Sequence, residues 1–518
     1  MHLKDFVFVT IFTLYWVWGL TQSTVQSGYV FYDINENGVY DTGDKPLSGI
    51  SISNGLDVVQ SDEEGAYKIS MRENGVIFII KPSGYRSSVN KENIASFYAF
   101  LKPEGSPKLQ YPGIAKFTIS GSLNFPLYRN NDEKKIKVAI LGDTQVENME
   151  HIAHVAKLVA EQIIHEEADF VVPLGDLVFD DLNLFDPLKQ VLSKIGSPVY
   201  YVYGNHDRNY DAMDLQYRDE TFKANFGPSY YAFNYGNNSF IVMNDVFPEN
   251  GTRRFLAKID ADQLAFIANL VQTIPEENSI HLFMHIPLEE ISNREALFEI
   301  LKNHSQVYAY AGHTHTQYFK DFGRTEGWLR DEPLSELVAG AVCGAWWLGD
   351  KDLYGVPSAM MGDGTPKGYW ILDIDENRRQ LTYKVSGSAT NTQMHIWTPH
   401  DSTGSDSELE DNIIMVNIFA GDESTRVKLK IEGQEWVSMA KTFQPDPFYM
   451  QMIKRKEKQE VSGSKMPYYH DKFPISQHVW RFEIPYMLTY GKYKLTVQAK
   501  NDKGLEAESN ALLTINDN

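Results

Sequence analysis

The sequence predicts a mixed α/β protein in which a central α/β domain lies between two β-rich domains. Three changes of pattern along the 518 residues predict this arrangement. Residues 27–122 alternate between polar and apolar side chains, residues 134–388 alternate strand-like with helix-like segments, and residues 389–518 return to period-two alternation. A chain of this length is too long for one ordinary core, so several domains are expected.

The N-terminal region has the pattern of short strands separated by Gly, Asn and Asp turns. The predicted strands are Gly28–Tyr32, Gly49–Ser53, Ala66–Ser70 and Val76–Ile80. Together they predict a small β-sandwich. The charged stretch Arg129–Lys135 follows and marks a boundary with the next domain.

The central region predicts a layered α/β domain with helices on the faces of the sheets. The predicted strands are Val138–Leu141, Phe170–Leu174, Val199–Tyr203, Phe240–Asn244, Ile280–Met284 and Val307–Ala311. The predicted helices are Met149–Glu166, Phe185–Ile195, Asp260–Val271 and Asn293–Asn303. In domains of this kind ligands collect at the carboxyl ends of the strands.

The C-terminal region predicts strands and, after about Ser386, no further helices. The predicted strands are Ile413–Ile418, Val427–Ile431, Val479–Ile484 and Tyr493–Ala499. They predict a second β-sandwich, consistent with an immunoglobulin-like architecture.

Charge and cysteine content exclude several classes of function. The net charge of −21 repels polyanions, so nucleic acid is not an expected partner. The single cysteine, Cys343, excludes both an intrachain disulfide and a thiolate metal cluster.

Residues 1–22 predict an export signal, because Lys4 precedes the apolar run Phe6–Leu20. The alternatives are an uncleaved anchor and a buried strand. We expect a secreted, periplasmic or cell-surface bacterial protein without a second membrane-spanning segment. The sequence does not determine its oligomeric state.

Residues with metal-binding side chains come just after the predicted strands of the central region. They occur in Gly142-Asp143-Thr144-Gln145, Gly175-Asp176, Gly204-Asn205-His206-Asp207, His285 and Gly312-His313-Thr314-His315. Strand ends that meet at one place would gather carboxylate, amide and imidazole donors, which suit Mn, Fe, Zn or Mg. Asp176 is the best candidate to bridge two cations. Two cations about 3.5–4 Å apart favour phosphoryl transfer because they stabilise both the attacking and the leaving oxygen.

In order and spacing these motifs resemble the calcineurin-like metallophosphoesterase family. The resemblance implies a four-layer α/β/β/α domain and attack by metal-bound hydroxide. The implied ligands of one metal are Asp143, Gln145, Asp176 and His315. Those of the other are Asp176, Asn205, His285 and His313. It also implies that His206 faces the phosphate and that Asp207 orients His206 through a hydrogen bond.

Two positions depart from patterns within this family. Gln145 stands where most members have His, and its neutral oxygen is a weaker donor, so the first metal would bind loosely or be Mn or Mg. Some relatives that hydrolyse ADP-ribose or CDP-alcohols with manganese also have Gln there. Phe179 stands where purple acid phosphatases have a Tyr ligand, so an Fe(III)-tyrosinate enzyme is not expected.

The N-terminal region contains a loop with the spacing of a calcium ligand set. Oxygens fall at loop positions 1, 3, 5, 9 and 12, supplied by Asp33, Asn35, Asn37, Asp41 and Asp44. Gly38 occupies position 6, where a sharp turn is needed. This loop and the run from Ser61 to Tyr67 resemble bacterial B-type repeat modules. The alternative is an acidic turn without an ion.

A Gly- and Trp-rich segment follows the last histidine motif. Trp346 and Trp347 lie among glycines, a composition that suits a loop stacking on a sugar or a base. We predict that Trp346, Trp347, Asp350 and Asp363 bind substrate; the alternative for the tryptophans is a core aromatic pair. The segment and the C-terminal region resemble a three-domain bacterial subgroup of the family.

The leading hypothesis is therefore an exported phosphoesterase with two divalent metal ions. Its substrate would be a small phosphate ester or a phosphorylated glycan, with a phosphodiester favoured over a phosphomonoester. The rival is a catalytically impaired glycan-binding surface protein, which predicts an incomplete metal-binding set. A surface adhesin would account for the β-rich regions but not for the histidines.

Overall fold

The computed structural model describes residues 24–130, 134–249, 253–376, 378–388, 392–399, 412–460, 473–484 and 488–515. The predicted signal of residues 1–22 lies outside these ranges. Within them, no helix combines the length and the apolar character needed to cross a bilayer.

The N-terminal region contains nine strands in two sheets. They are β1 Thr24–Tyr32, β2 Lys45–Pro46, β3 Ser51–Ser53, β4 Val58–Gln60, β5 Ala66–Met71, β6 Val76–Ile79, β7 Tyr85–Arg86, β8 Tyr98–Phe100 and β9 Phe125–Arg129. One sheet has the order β2-β1-β9-β7, with β5 paired to β1, and the other the order β4-β3-β6-β8. Strand β9 runs parallel to β1, so the N-terminal sheet includes residues beyond position 122.

The central region has twelve strands and six α-helices within the described ranges. The strands are β10 Lys135–Leu141, β11 Phe170–Pro173, β12 Tyr231–Tyr235, β13 Asn238–Val242, β14 Val246–Pro248, β15 Phe255–Ala257, β16 Ser279–Phe283, β17 Val307–Ala311, β18 Gln317–Phe322, β19 Leu334–Ala339, β20 Gly368–Asp375 and β21 Arg378–Val385. The helices are α1 Met149–Val155, α2 Glu161–Ile163, α3 Phe185–Leu192, α4 Glu220–Phe226, α5 Ala261–Val271 and α6 Arg294–Leu301.

Two large sheets form the centre of this region. One has the order β11-β10-β20-β21 and the other the order β12-β13-β16-β17-β19-β18. Strands β10 and β11 are parallel, as are β16 and β17, so each pair ends at a common edge. The apolar residues of these strands are buried on both faces, as expected for a sheet between other layers.

The C-terminal region contains two four-stranded sheets and a helix. Its elements are β22 Met394–Trp397, β23 Ile413–Ile418, β24 Arg426–Ile431, β25 Val437–Ser438, β26 Ala440–Gln444, α7 Pro447–Glu460, β27 Ser476–Glu483, β28 Gly491–Lys500 and β29 Glu506–Ile515. The sheet orders are β22-β23-β27-β26 and β25-β24-β28-β29. The mixed α/β class with β-sheet regions on both flanks, predicted from the sequence, is confirmed.

One predicted strand, Val199–Tyr203, does not form a regular strand. The segment lies along β11, with hydrogen bonds from the Val171 amide to the Pro198 carbonyl and from the Tyr200 amide to the Val171 carbonyl. Pro173 then has no amide to continue the ladder, so the pairing is reduced to an isolated bridge between Val171 and Val199.

The expectation that no helix follows Ser386 is wrong, because α7 spans Pro447–Glu460. Asp446 begins this helix: its side chain accepts a hydrogen bond from the Tyr449 amide at 2.8 Å, and its carbonyl accepts one from Met450. An acidic residue followed by Pro is a common helix start, so the sequence did contain a signal for it.

Candidate metal centre

Loops from the two central sheets meet at one place, and these loops carry the predicted metal ligands. Asp143 and Asp176 follow β10 and β11 of one sheet, whereas His285 and His313 follow β16 and β17 of the other. The His285 ring bridges the sheets, because its Nδ1 lies 2.8 Å from the Leu174 carbonyl oxygen. The alternating architecture thus brings distant segments together at strand ends.

One part of the site contains Asp143, His315 and Gln145. Asp143 Oδ2 lies 3.3 Å from His315 Nε2, and Asp143 Oδ1 accepts a hydrogen bond from the His313 amide at 2.8 Å. The side-chain amide of Gln145 lies 3.3 Å from Asp176 Oδ2. All three side chains are buried.

The other part contains Asp176, Asn205, His285 and His313. His285 Nε2 lies 3.3 Å from Asp176 Oδ2, 3.0 Å from Asn205 Oδ1 and 3.2 Å from His313 Nδ1. The structure therefore brings together all seven side chains that the sequence suggested as ligands. Asp176 contacts residues of both parts, as a bridging carboxylate would.

Backbone carbonyls fix which nitrogen each buried histidine presents to the site. The Nδ1 of His285 bonds to Leu174, and the Nδ1 of His315 bonds to the Gly344 carbonyl at 2.7 Å. With Nδ1 used as a donor, the lone pair of Nε2 points into the site in the neutral ring. Against the effect of burial, Asp176 raises the pKa of His285 to about 10, and burial together with the positive charge of His285 lowers the pKa of His313 to about 4. A bound cation would therefore displace a proton from His285, whereas His313 is already neutral as a ligand must be.

The ligand atoms of the site are better satisfied by bound divalent cations than by hydrogen bonds to one another. Asp143 Oδ2 is a buried carboxylate oxygen that accepts no hydrogen bond within the described chain. Asp176, His285 and His313 also place one ligand atom each within 4.8 Å of one another. Facing lone pairs at 3.2 Å repel each other unless a cation or a proton lies between them.

Four of the ligand residues have a left-handed backbone, which is costly for residues other than glycine. Their φ angles are 36° at Gln145, 44° at Asp176, 71° at His313 and 50° at His315. Strain of this kind persists where the surrounding structure fixes it, and here it turns the side chains into the site.

The role implied for Asp207 does not match its position. Asp207 is buried and accepts hydrogen bonds from the backbone amides of Leu177, Val178 and Gly204. It therefore connects the loops that carry Asp176 and Asn205. The partner of His206 is instead Asp180, whose Oδ1 lies 2.7 Å from His206 Nδ1.

His206 and Asp180 influence each other's protonation. Burial favours the neutral forms of both groups, but their mutual hydrogen bond and the neighbouring charges and hydrogen bonds together outweigh it. The pKa of His206 is raised, with a further contribution from Asp176, and the pKa of Asp180 is lowered. Phe179 stacks on the His206 ring, with the two ring centroids 4.6 Å apart.

The predicted substrate-binding residues are divided between different environments. Trp346 is half-buried and stacks on His315 at 4.3 Å, beside the metal centre. Trp347 is buried and donates from Nε1 to the Thr144 carbonyl at 3.0 Å, so it is a core residue. Asp350 is exposed.

Asp363 is buried, and its carboxylate is used in contacts within the protein, so it is not available to a substrate. It accepts hydrogen bonds from the Gln317 amide at 2.6 Å and the Thr365 amide at 2.9 Å, and lies 3.3 Å from His478. Its carboxylate connects the central region to the C-terminal sheet, which corrects the substrate-binding prediction.

In the predicted calcium loop, Asp33 is buried and the other polar residues are exposed or half-buried. Asp33 Oδ2 accepts a hydrogen bond from the Gly38 amide at 2.6 Å, and Asp41 Oδ2 accepts one from Asn37 at 2.8 Å. Asp44 accepts bonds from the Ile34 and Asp41 amides. The loop is thus folded around its oxygens.

Sequence reasoning missed four residues at the site. They are Asp180, Tyr210, Arg208 and, as a neighbour of the ligands, Cys343. Asp180 could have been found, because it follows Asp176 in the same strand-end loop. The others have no signal in the sequence, since their contacts depend on how distant loops pack.

Three family models match consecutive parts of the chain. The family model for calcineurin-like phosphoesterase matches residues 136–317, and the models for its N terminal and C terminal match residues 34–112 and 336–506. No curated protein matches the chain.

Two solved structures to which this chain is similar are phosphatases. One is a dimetal phosphatase from Danio rerio, with 16% identity and a TM-score of 0.34, covering 48% of this chain and 95% of that one. The other is a purple acid phosphatase from yellow lupin (Lupinus luteus) seeds, with 14% identity and a TM-score of 0.36, covering 70% of this chain and 66% of that one. By its motifs and its three family matches, the chain belongs to the calcineurin-like phosphoesterase family, with that family's N-terminal, catalytic and C-terminal regions.

Proposed function

We propose that this protein hydrolyses a small phosphate ester, preferring a phosphodiester of sugar, nucleotide or glycerol type to a phosphomonoester, without a covalent phospho-enzyme. The observation that carries the proposal is the convergence of seven ligand side chains from two sheets, with His206 at their edge. The rival, an impaired glycan-binding protein, predicts an incomplete set of ligands. Only Gln145 departs from the usual ligand set, and its side-chain oxygen can still bind a metal.

The chain's own residues suggest how the reaction is supported. Two divalent cations, when bound, supply an activated water and neutralise phosphoryl charge. Asp176 and Asn205 would hold the cations close to the loop that carries His206. His206 has its Nδ1 bonded to Asp180, which leaves Nε2 as the nitrogen available to substrate. From there it can stabilise charge on the phosphate or give a proton to the leaving oxygen.

The first test replaces the bridging carboxylate. Asp176→Asn should lower turnover of bis(4-nitrophenyl) phosphate at least a hundredfold, because one ligand oxygen becomes an amide with no charge. The matched control is Asp186→Asn on helix α3, where the carboxylate is exposed. Full activity of Asp176→Asn, with circular dichroism unchanged, would exclude the proposed role.

The same assay identifies the metals and the ester class. Metal-free protein reloaded separately with Mn, Zn, Fe or Mg is assayed with bis-aryl and mono-aryl phosphates. We expect Mn or Mg to give the faster enzyme, since Gln145 offers an oxygen in place of an imidazole, and the diester to be the better substrate. Absence of turnover with all four metals would contradict the proposed function.

We also propose export out of the bacterial cytoplasm, from Lys4 and the apolar run Phe6–Leu20. Cell fractionation and mass spectrometry should find a protein in the envelope or medium that begins near residue 23. Replacing two leucines of the run, Leu14 and Leu20, by Asp should leave full-length protein in the cytoplasm. Uncleaved wild type in the cytoplasm would contradict export.

A structural calcium ion in the loop Asp33–Asp44 is the remaining cofactor proposal. Its support is the hard-oxygen spacing and the buried carboxylate of Asp33. Saturating Ca²⁺ should raise the unfolding temperature of the wild type by a few degrees, because only the folded loop binds the ion. It should leave the unfolding temperature of Asp41→Asn almost unchanged, because this variant lacks one charged ligand. Mg²⁺ at the same concentration is the control. No difference between the two proteins would contradict it.

A further inference from the structure

The carboxylate of Asp180 is held by three donors from two different segments of the chain, the loop of His206 and Tyr210 and the segment of Arg253. Its Oδ1 lies 2.7 Å from His206 Nδ1 and accepts a hydrogen bond from the Tyr210 hydroxyl at 2.8 Å. Its Oδ2 accepts one from an Arg253 Nη at 3.0 Å. Because both oxygens are used, the plane and the direction of the carboxylate are fixed.

Tyr210 connects this carboxylate to the ligand loop. Its hydroxyl also lies 3.0 Å from the Asn205 carbonyl oxygen, and its ring lies 4.2 Å beneath the guanidinium of Arg253. The Tyr210 hydroxyl therefore contacts both the backbone of Asn205, the residue before His206, and the Asp180 carboxylate that pairs with the His206 ring.

Arg208 fixes the backbone of the segment that carries Arg253. The Arg208 side chain is buried, with Nε donating to the Asn205 carbonyl at 2.6 Å and Nη2 donating to the Arg253 carbonyl at 2.7 Å. The chain before β15 is thus attached to the ligand loop. Although the Arg253 side chain is 70% exposed, it starts from an anchored backbone and reaches Asp180.

We propose that Tyr210 and Arg253 are positioning residues, which hold Asp180 so that His206 keeps Nδ1 toward the protein and Nε2 toward the leaving oxygen. This inference rests on the proposed phosphoester hydrolysis. A water oxygen forms the new bond to phosphorus and gives one proton to solvent. The proton on Nε2 moves to the ester oxygen as the bond from phosphorus to that oxygen breaks, and the electron pair of the broken bond stays on the departing oxygen. Solvent then returns a proton to Nε2.

The dependence of rate on the leaving group tests this role. Tyr210→Phe should lower kcat about tenfold for an ester that releases phenol, and less than about twofold for the matching ester of 2,4-dinitrophenol, with KM unchanged. The reason is that dinitrophenolate departs without a proton. Arg253→Met should show the same pattern with a smaller effect, about threefold, because the ion pair is exposed. Arg253→Lys should recover part of the loss.

The control is Tyr230→Phe, which removes a hydroxyl bonded to the Gly55 carbonyl at 2.8 Å, away from the metal centre. It should leave both esters unaffected. Equal losses on both esters in Tyr210→Phe would show a general structural effect and overturn the proposal. Undiminished kcat on both would overturn it as well.

A second readout does not need turnover. In metal-free protein labelled with ¹⁵N-histidine, the Nδ1 proton of His206 should give a downfield resonance, assigned by its absence from His206→Gln. In Tyr210→Phe it should broaden or shift upfield. An unchanged resonance would overturn the proposal. If the wild type hydrolyses neither ester with any cation, the proposed function fails, and the resonance still decides the positioning role.

Discussion

Among single residues, the glycines that precede the ligands determine how closely the ligand loops approach. A Cβ on Gly204 would lie 2.0 Å from the Asp176 amide nitrogen and 2.4 Å from Asp176 Oδ1. A Cβ on Gly312 would lie 2.5 Å from Asp143 Oδ1. Each of these glycines makes room for a carboxylate from a different loop, so the spacing of the site depends on them.

Gly204→Ala should therefore disrupt the metal centre although no ligand is changed. We expect metal affinity at least about tenfold weaker and turnover reduced in proportion, because Asp176 must move away from the new methyl group. Metal content after dialysis and the diesterase assay measure both. Gly323→Ala is the matched control, since φ is −105° there and the nearest atom is 3.4 Å from the new Cβ. Full metal content in Gly204→Ala would show that the loops are not packed as described.

The residues of the site also show where sequence reasoning ended. The ligands could be named because each follows an apolar strand, and strand ends converge in this class of domain. Asp180 could have been suggested as a residue of the same strand-end loop, but its pairing with His206 could not have been predicted. Asp207 is adjacent to His206 in sequence and yet points to backbone amides, whereas Asp180 has a φ of 69° that turns it toward the imidazole. A backbone angle of that kind cannot be predicted from amino-acid composition or from the periodicity of apolar residues.

Among the elements, short apolar runs were informative where a strand is buried on both faces, and the sequence was less informative where loops decide the structure. Strands β10, β16 and β17 were predicted because their apolar runs are short and end in polar residues. The tryptophan loop was more difficult, since adjacent residues point to different places. Trp346 has a φ of 50° and Trp347 a φ of 56°, so one ring lies on His315 and the other lies in the core.

In the whole molecule, the C-terminal sheets join the central region through buried polar side chains. The Asn417 amide donates to the Asp363 carbonyl and to Asp446 Oδ2, both at 2.9 Å, and His478 lies between Asn417 and Asp363. The backbone N–H of Gln317, two residues after the ligand His315, donates a hydrogen bond to Asp363 Oδ2. This junction connects segments far apart in sequence, and no alternating pattern could have predicted its pairing.

The junction should make stability depend on pH through Asp446. Burial raises the pKa of this carboxyl from 3.8 to about 6, and hydrogen bonds from Asn417 and the Tyr449 amide offset only part of the effect. The folded protein then binds the proton more tightly than the unfolded chain does. Stability from this group is fully present below about pH 4 and is lost as the pH rises toward and beyond about 6, by about 3 kcal/mol in all.

In Asp446→Asn the side chain at this position stays neutral at every pH, so the variant does not lose this stability as the pH rises. Relative to the wild type, the variant should gain up to about 3 kcal/mol in free energy of unfolding between about pH 4 and pH 7. Urea unfolding of both proteins with a chelator present, so that metal binding does not contribute, measures the difference. Asp186→Asn, at an exposed carboxylate, is the control for the loss of one acidic side chain. If the difference in unfolding free energy between Asp446→Asn and the wild type stays constant across this range, the carboxyl is not held in a low-dielectric junction. The C-terminal sheets would then pack on the central region less tightly than the hydrogen bonds of Asp363, Asn417 and His478 indicate.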